Sequence, residues 1–440
     1  MIQRDSPLPG SAHVRKLARL RPHFVRASWA VAEQATGPLL QLVLTPLLLR
    51  WLGVEEFGLW ALGLAVASMG QLASFGSGGA TTKHVSADLG ANRRTDAVAA
   101  VRAATTVTLG MGVMLLAVSA WAAVPLAARF FTGMGDAIYV GLVLFMAVLL
   151  LLVQELDGVY AAAIRGFQRF DLAARVEVVG RLCWTAAIVA LAWQYRSVIA
   201  ILGGAIALTA GKLIVRVVIV NRLFKVRHAH WPSMDAAQLR RVTDFGRWQW
   251  VQSIGTVLFS VVDRLLVGWI FGASDLARYS VCLQVAQSVH LLPAAAMQIL
   301  FPWLSARKAG SGAPSGRKLM VWSLVGGAIC ALPPAAIALL ANPLLSAWID
   351  PDFAASSTRL LQILLLAYGV LAFNIPGHYL LLGLGDARFV SLSNLAAGVL
   401  SITASVALLP LGLVAFAAGK LGYGPIIALN QFRLGRVGHG

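Results

Sequence analysis

Ten polar or charged residues sit inside long apolar runs: Glu33, Gln41, Lys212, Gln252, Asp263, Arg264, Gln284, Gln287, His290 and Lys420. A charge at the centre of a bilayer costs about 3 kcal/mol or more, so such residues mark a pathway, a partner or a bound ligand. Their types suggest a division of labour. Arg264, Lys420 and Lys212 can bind a phosphate, Arg through its planar fork and Lys as a point charge. Gln41, Gln252, Gln284, Gln287 and His290 can exchange hydrogen bonds with hydroxyl-rich groups. Glu33 and Asp263 are candidates for a coupling cation. Arg264 is expected to be held by its neighbour Asp263 when no substrate is present.

The spacing places these side chains on stripes. At 100° per residue, Glu33, Gln34, Gly37, Gln41 and Thr45 share an arc of about 120°. Gln252, Thr256, Ser260, Asp263 and Arg264 repeat that arc in the same phase, and Gln284, Gln287, His290 and Gln298 form a third. Three striped helices would line one wet space. The structural alternatives are interhelical hydrogen bonds for the amides and hydroxyls, an Asp263–Arg264 lock, and a snorkelling Lys212. Glu155, Asp157, Glu177 and Arg181 read as a structural charge cluster.

The elements that carry the stripes follow from composition. The 440 residues are 58% hydrophobic and 12% charged, with a mean hydropathy of +0.76. Soluble domains carry about twice that charge, which excludes a soluble enzyme, a disordered chain and a disulfide scaffold. The expected fold is an all-α polytopic membrane protein. Spans are read near 26–50, 57–79, 104–125, 137–162, 176–193, 197–220, 246–271, 276–304, 319–341, 358–382, 391–409 and 411–430. The basic segment 1–25 shows no cleavable signal peptide. Cys183, Cys282 and Cys330 lie in apolar runs without ligand spacing, so neither a disulfide nor a metal site is expected.

Charge sets the orientation. With the N-terminus inside, 27 of the 36 Lys and Arg fall in inside segments and five outside. Cytoplasmic loops collect these residues, so both termini are expected in the cytoplasm. The chain also repeats. At an offset of 219, Trp29, Leu47 and Gly53 meet Trp248, Leu266 and Gly272. At 217, Asp157 meets Asn374 and Gly166 meets Gly383, and at 208 the tetrapeptide AGKL at Ala210–Leu213 meets AGKL at Ala418–Leu421. Both halves start inside, so the repeat is parallel. The expected organisation is a cytoplasmic segment 1–25, a six-helix bundle 26–220, a cytoplasmic linker 221–245, a second six-helix bundle 246–430 and a tail 431–440, with a central cavity between the bundles.

Four stretches carry a family resemblance: RWLGVEEFGLWAL from Arg50, DRLLVGWIFGASDLARYSV from Asp263, LFPWLSAR from Leu300 and LLLGLGDARF from Leu380. With them the chain resembles bacterial polysaccharide-transport proteins, the lipid-linked oligosaccharide flippases of the multidrug/oligosaccharidyl-lipid/polysaccharide exporter superfamily. The resemblance implies bundles arranged as a V and alternating access. It also implies an undecaprenyl-diphosphate-linked oligosaccharide as cargo, moved across the inner membrane for surface polysaccharide such as O-antigen or exopolysaccharide. A polymerase and glycosyltransferases would then be partners; no nucleic acid partner is expected.

Two other functions compete. A cation-coupled small-molecule exporter of the same superfamily would favour carboxylates and aromatics over Lys212, Arg216, Arg264 and Lys420. A membrane glycosyltransferase or polysaccharide polymerase could use Glu55 and Glu56 as an acidic pair, but would need larger outer loops than this chain offers. No Walker A, HExxH or GxSxG motif is present, so no cofactor and no enzymatic turnover is expected.

Overall fold

The computed structural model describes Glu33, residues 36–297, Leu300, Trp303, Leu304 and residues 314–436. The expected segment 1–25, Trp29, Gln34 and Gln298 lie outside the described residues, as do the side chains of Gln252, Thr256 and Ser260. Nine helices are long and apolar enough to cross a bilayer among those described. Thr36–Leu52, the broken stretch from Val54 to Gly90, and Ala236–Ser260 bring the spans to twelve. Large apolar side chains such as Trp121, Val118, Ile214, Leu332 and Leu392 stand on the outer surface, where lipid would cover them.

Several boundaries differ from expectation. The second span reaches Gly90 in three pieces, Val54–Ala67, Gly70–Ala73 and Ser77–Gly90. The third runs from Arg94 to Phe130, 37 residues, or about 55 Å at 1.5 Å per residue. It therefore extends well beyond the hydrocarbon. The seventh begins at Ala236, inside the expected linker, and the last ends at Arg436, inside the expected tail. Charged residues carry these extensions into the polar region: a helix ends where its backbone loses partners, whereas an apolar run ends where lipid does.

The repeat has a backbone signature. Gly53 closes the turn between spans 1 and 2 with φ 82° and ψ 170°, and Gly272, its mate at an offset of 219, closes the turn between spans 7 and 8 with φ 84° and ψ −172°. This region is open essentially to glycine alone. Both halves thus make the same turn by the same means.

Two faces follow from the connections. One, the basic face, gathers the connectors around Arg93, Arg169, Lys225 and Arg388. On the opposite face the bundles meet backbone to backbone. A Cβ on Gly58 would stand 2.0 Å from the Ala273 carbonyl oxygen, and one on Gly272 2.9 Å from that of Gly133. Phe130 packs edge-on against Trp269, and Trp348 Nε1 donates to the Leu42 carbonyl at 3.0 Å. The opposite face is therefore shut.

Candidate functional site

A cavity of about 890 Å³ occupies the basic half of the molecule. Spans 1, 4, 5 and 6 supply its wall through Glu33, Gly37 and Gln41, Asp157 and Arg165, Glu177, Arg181 and Trp184, and Lys212 and Arg216, and Leu291 of span 8 reaches it from the other half. The spacing explains the convergence. Gln154, Asp157, Ala161 and Arg165 recur on one face of span 4, Glu177, Arg181 and Trp184 on one face of span 5, and Lys212 and Arg216 on consecutive turns of span 6.

These charges form one network. Arg165 reaches Glu33 at 2.6 Å. Arg181 pairs with Glu177 at 2.9 Å and donates to the Glu33 carbonyl oxygen. Lys212 Nζ lies 3.0 Å from both Asp157 and Glu177, and Arg216 grips the same two carboxylates. A Cβ on Gly180 would lie 2.7 Å from Lys212 Cδ, so the glycine makes room for the lysine stem. Four cations, Arg165, Arg181, Lys212 and Arg216, thus face three carboxylates, Glu33, Asp157 and Glu177. Lys212 does not snorkel. It is held within the bundle.

Beyond Gln41, Leu44 and Trp184 a smaller pocket of about 70 Å³ continues toward the opposite face. Here polar residues of spans 1, 7 and 8 meet: Gln41 and Thr45, Arg264, and Gln284 and Gln287. Thr45 donates to Gln284 Oε1 at 3.0 Å, bridging the two halves. Arg264 donates to Gln287 Oε1 at 3.3 Å, and Gln287 donates to the Tyr368 hydroxyl at 3.2 Å. Among the described residues no carboxylate is within ion-pair distance of the Arg264 side chain, and the buried donors Arg264 Nε and Gln284 Nε2 have no hydrogen-bond partner. Trp60 and Trp184, 6.1 Å apart, form an aromatic wall.

Other expected site residues lie elsewhere. Asp263 does not hold the Arg264 side chain. Successive helical residues point about 100° apart, and Asp263 turns into the second bundle. There its carboxylate takes Lys420 Nζ at 2.7 Å and the Tyr279 hydroxyl at 2.7 Å. Lys420 lines neither cavity; it is 5% exposed and closed within the bundle. His290 packs edge-on against Tyr368 at 5.8 Å and lines neither cavity. Glu155 sits against Gly70, outside the cavity wall. Glu56 accepts from the Tyr139 hydroxyl at 2.9 Å and from the Val198 amide at 3.2 Å, which ties span 2 to spans 4 and 6.

Asp157, Glu177 and Arg181, which the sequence presents as a structural charge cluster, do join one ion-paired network, and that network lines the cavity. Arg165 and Arg216 are the wall residues that the sequence reading did not place in the site. The second half carries neutral counterparts to Asp157 and Glu177. Asn374 and Asn394, at the 217-residue offset from Asp157 and Glu177, hydrogen-bond with Tyr423 at 3.2 and 2.8 Å. At these two positions the N-terminal half carries carboxylates where its copy carries amides, while Lys212 keeps a charged counterpart in Lys420.

Comparison with known proteins bears on the fold and the family. The family model described as polysaccharide biosynthesis protein matches residues 26–307, and the MatE model matches residues 250–406. A putative O-antigen transporter from Shigella flexneri is 23% identical over 242 residues, 55% of this chain and 56% of its own; the match thus spans about half of that relative. Among solved structures, the lipid II flippase MurJ in an inward closed conformation superposes with a TM-score of 0.71 at 13% identity, covering 92% of this chain and 87% of that one. An inward-facing multidrug resistance MATE family transporter of the MOP superfamily gives 0.64 at 15% identity, covering 94% and 97%. These two likenesses show the fold. The chain, an all-α polytopic membrane protein, belongs to the polysaccharide biosynthesis protein family.

Proposed function

We propose that the chain flips an undecaprenyl-diphosphate-linked oligosaccharide from the cytoplasmic to the outer leaflet of a bacterial inner membrane for surface polysaccharide assembly. Both termini then lie in the cytoplasm, glycosyltransferases supply the cargo and a polymerase receives it. Residues 26–220 and 246–430 are the two bodies that rock about the cavity. The carrying observation is the deep pocket: among the described residues the Arg264 guanidinium has no carboxylate within ion-pair distance, and two buried donors there, Arg264 Nε and Gln284 Nε2, have no hydrogen-bond partner. Such a donor-rich seat suits an anionic, oxygen-rich headgroup. Arg165, Arg181, Lys212 and Arg216 would receive the diphosphate first and release their carboxylates. Arg264 would take it next, while Gln41, Gln284 and Gln287 meet sugar hydroxyls beside Trp60 and Trp184.

A small-molecule exporter draws support from Glu33, Asp157 and Glu177 on the cavity wall. Each already lies within ion-pair distance of Arg or Lys, so a cationic cargo would have to displace tethered cations. The test is Arg264→Gln in a strain that depends on this chain. Normal membrane abundance with strongly reduced surface polysaccharide supports the assignment. Wild-type polysaccharide at normal abundance removes Arg264 from it.

A further inference from the structure

Two helices of the second bundle break where they carry opposite charges. Span 7 is interrupted at Val261, with φ −126°, and Asp263 lies in the first turn of the helix that resumes. Span 12 unwinds from α-helix Leu413–Ala418 into a 3-10 turn, Gly419–Tyr423, that carries Lys420. A helix start favours an anion and a helix end a cation, so both charges suit their breaks. A Cβ on Gly419 would lie 2.2 Å from the Ser405 amide nitrogen. Spans 11 and 12 therefore touch backbone to backbone, and Lys420 is delivered against span 7.

Three donors hold the carboxylate. Asp263 Oδ2 takes Lys420 Nζ and the Tyr279 hydroxyl, each at 2.7 Å, while Oδ1 takes the Arg264 amide at 2.8 Å. The crevice beside it, about 10 Å³ and lined by Asp263, Ser401, Ser405 and Lys420 among others, has room for no more than about one water. Ser401 Oγ is buried there without a partner among the described residues. Remove the ammonium, and what remains is one carboxylate with hydroxyl oxygens from Tyr279, Ser401 and Ser405. That is an oxygen-only donor set, the kind hard cations take.

We propose that Lys420 is a tethered cation: it occupies a seat between spans 7, 11 and 12 that would otherwise take a free alkali cation, so Asp263 binds no sodium in this protein. The bundle carries its own counter-ion, and no sodium gradient acts through Asp263. This holds whatever the cargo, and its test needs none.

The measurement is thermal stability of the purified full chain in NaCl against equimolar choline chloride, with ²²Na⁺ binding in parallel. The wild type is expected to show no sodium-specific shift. Lys420→Ala is expected to gain a saturable rise in melting temperature of roughly 2 °C or more, which adding Asp263→Asn abolishes. A saturable sodium response in the wild type that Asp263→Asn removes would overturn the proposal. So would a folded Lys420→Ala protein that ignores sodium. If Lys420→Ala is not recovered from membranes, wild type and Asp263→Asn decide alone. Equal binding at background supports the tethered cation, and excess ²²Na⁺ on the wild type contradicts it.

Discussion

Replacing Gly58 with alanine should pry the opposite face open. Its Cβ would lie 2.0 Å from the Ala273 carbonyl oxygen, and contacts under 3.0 Å are not tolerated. Span 2 and the start of span 8 must therefore separate by about 1 Å. The obstacle is backbone, so no side-chain rotation relieves it. Overpacking of this kind costs about 1–3 kcal/mol. That cost falls only on conformations in which the two bundles touch here. A penalty of 1–3 kcal/mol shifts a two-state equilibrium by roughly 5- to 150-fold toward conformations open on that face. The assay is labelling of Gln284→Cys, deep in the smaller pocket, by an impermeant thiol reagent added from that face. The background must lack Cys183, Cys282 and Cys330. Labelling should accelerate by at least about fivefold with Gly58→Ala. Unchanged labelling of a normally abundant protein would refute the claim that this glycine closes the pathway.

Arg216→Met should lower stability by about 3 kcal/mol, the lower end for a broken buried pair, because Lys212 stays 3.0 Å from both carboxylates. Adding Asp157→Asn should recover part of the lost melting temperature; simple additivity of the two changes would argue against coupling. Glu55→Gln with Glu56→Gln should leave transport largely intact, with a loss of about 1 kcal/mol from the Tyr139 and Val198 hydrogen bonds; complete loss of glycan assembly by a folded protein would instead point to a transferase. Reporters fused within 221–245 and after Arg436 should both read cytoplasmic, and a periplasmic signal from either would overturn the charge-based orientation.

The span count was legible because bilayer thickness sets the length of an apolar run and Arg and Lys mark one side of it. The Gly53–Gly272 repeat was legible because only glycine tolerates that turn. Of the stripes read for spans 1, 7 and 8, Gln41, Thr45, Arg264, Gln284 and Gln287 converge on the deep pocket, whereas Asp263 and His290 turn away from it. The pairings were not legible. Asp263 and Lys420 are 157 positions apart and meet only because two helices break at the right depth. Arg264, the obvious neighbour, points another way. Of the main cavity, Glu33, Gln41 and Lys212 were legible as polar residues within apolar runs, whereas Arg165 and Arg181 were not, because they lie near span ends, where charge is ordinarily solvated. Span 12 did offer a signal, since the glycines of AGKLGYGP forecast an unwound segment around Lys420.

The central claim is that this cavity moves an anionic lipid-linked glycan. It is tested most directly by reconstituting the purified chain in vesicles carrying a polyprenyl-diphosphate oligosaccharide. Leaflet exchange is followed by the access of an impermeant glycan-modifying enzyme. Exchange well above that of protein-free vesicles, and strongly reduced by Arg264→Gln, is the expected result. Exchange no faster than in protein-free vesicles, with a correctly folded chain that instead exports a small organic cation, would contradict it.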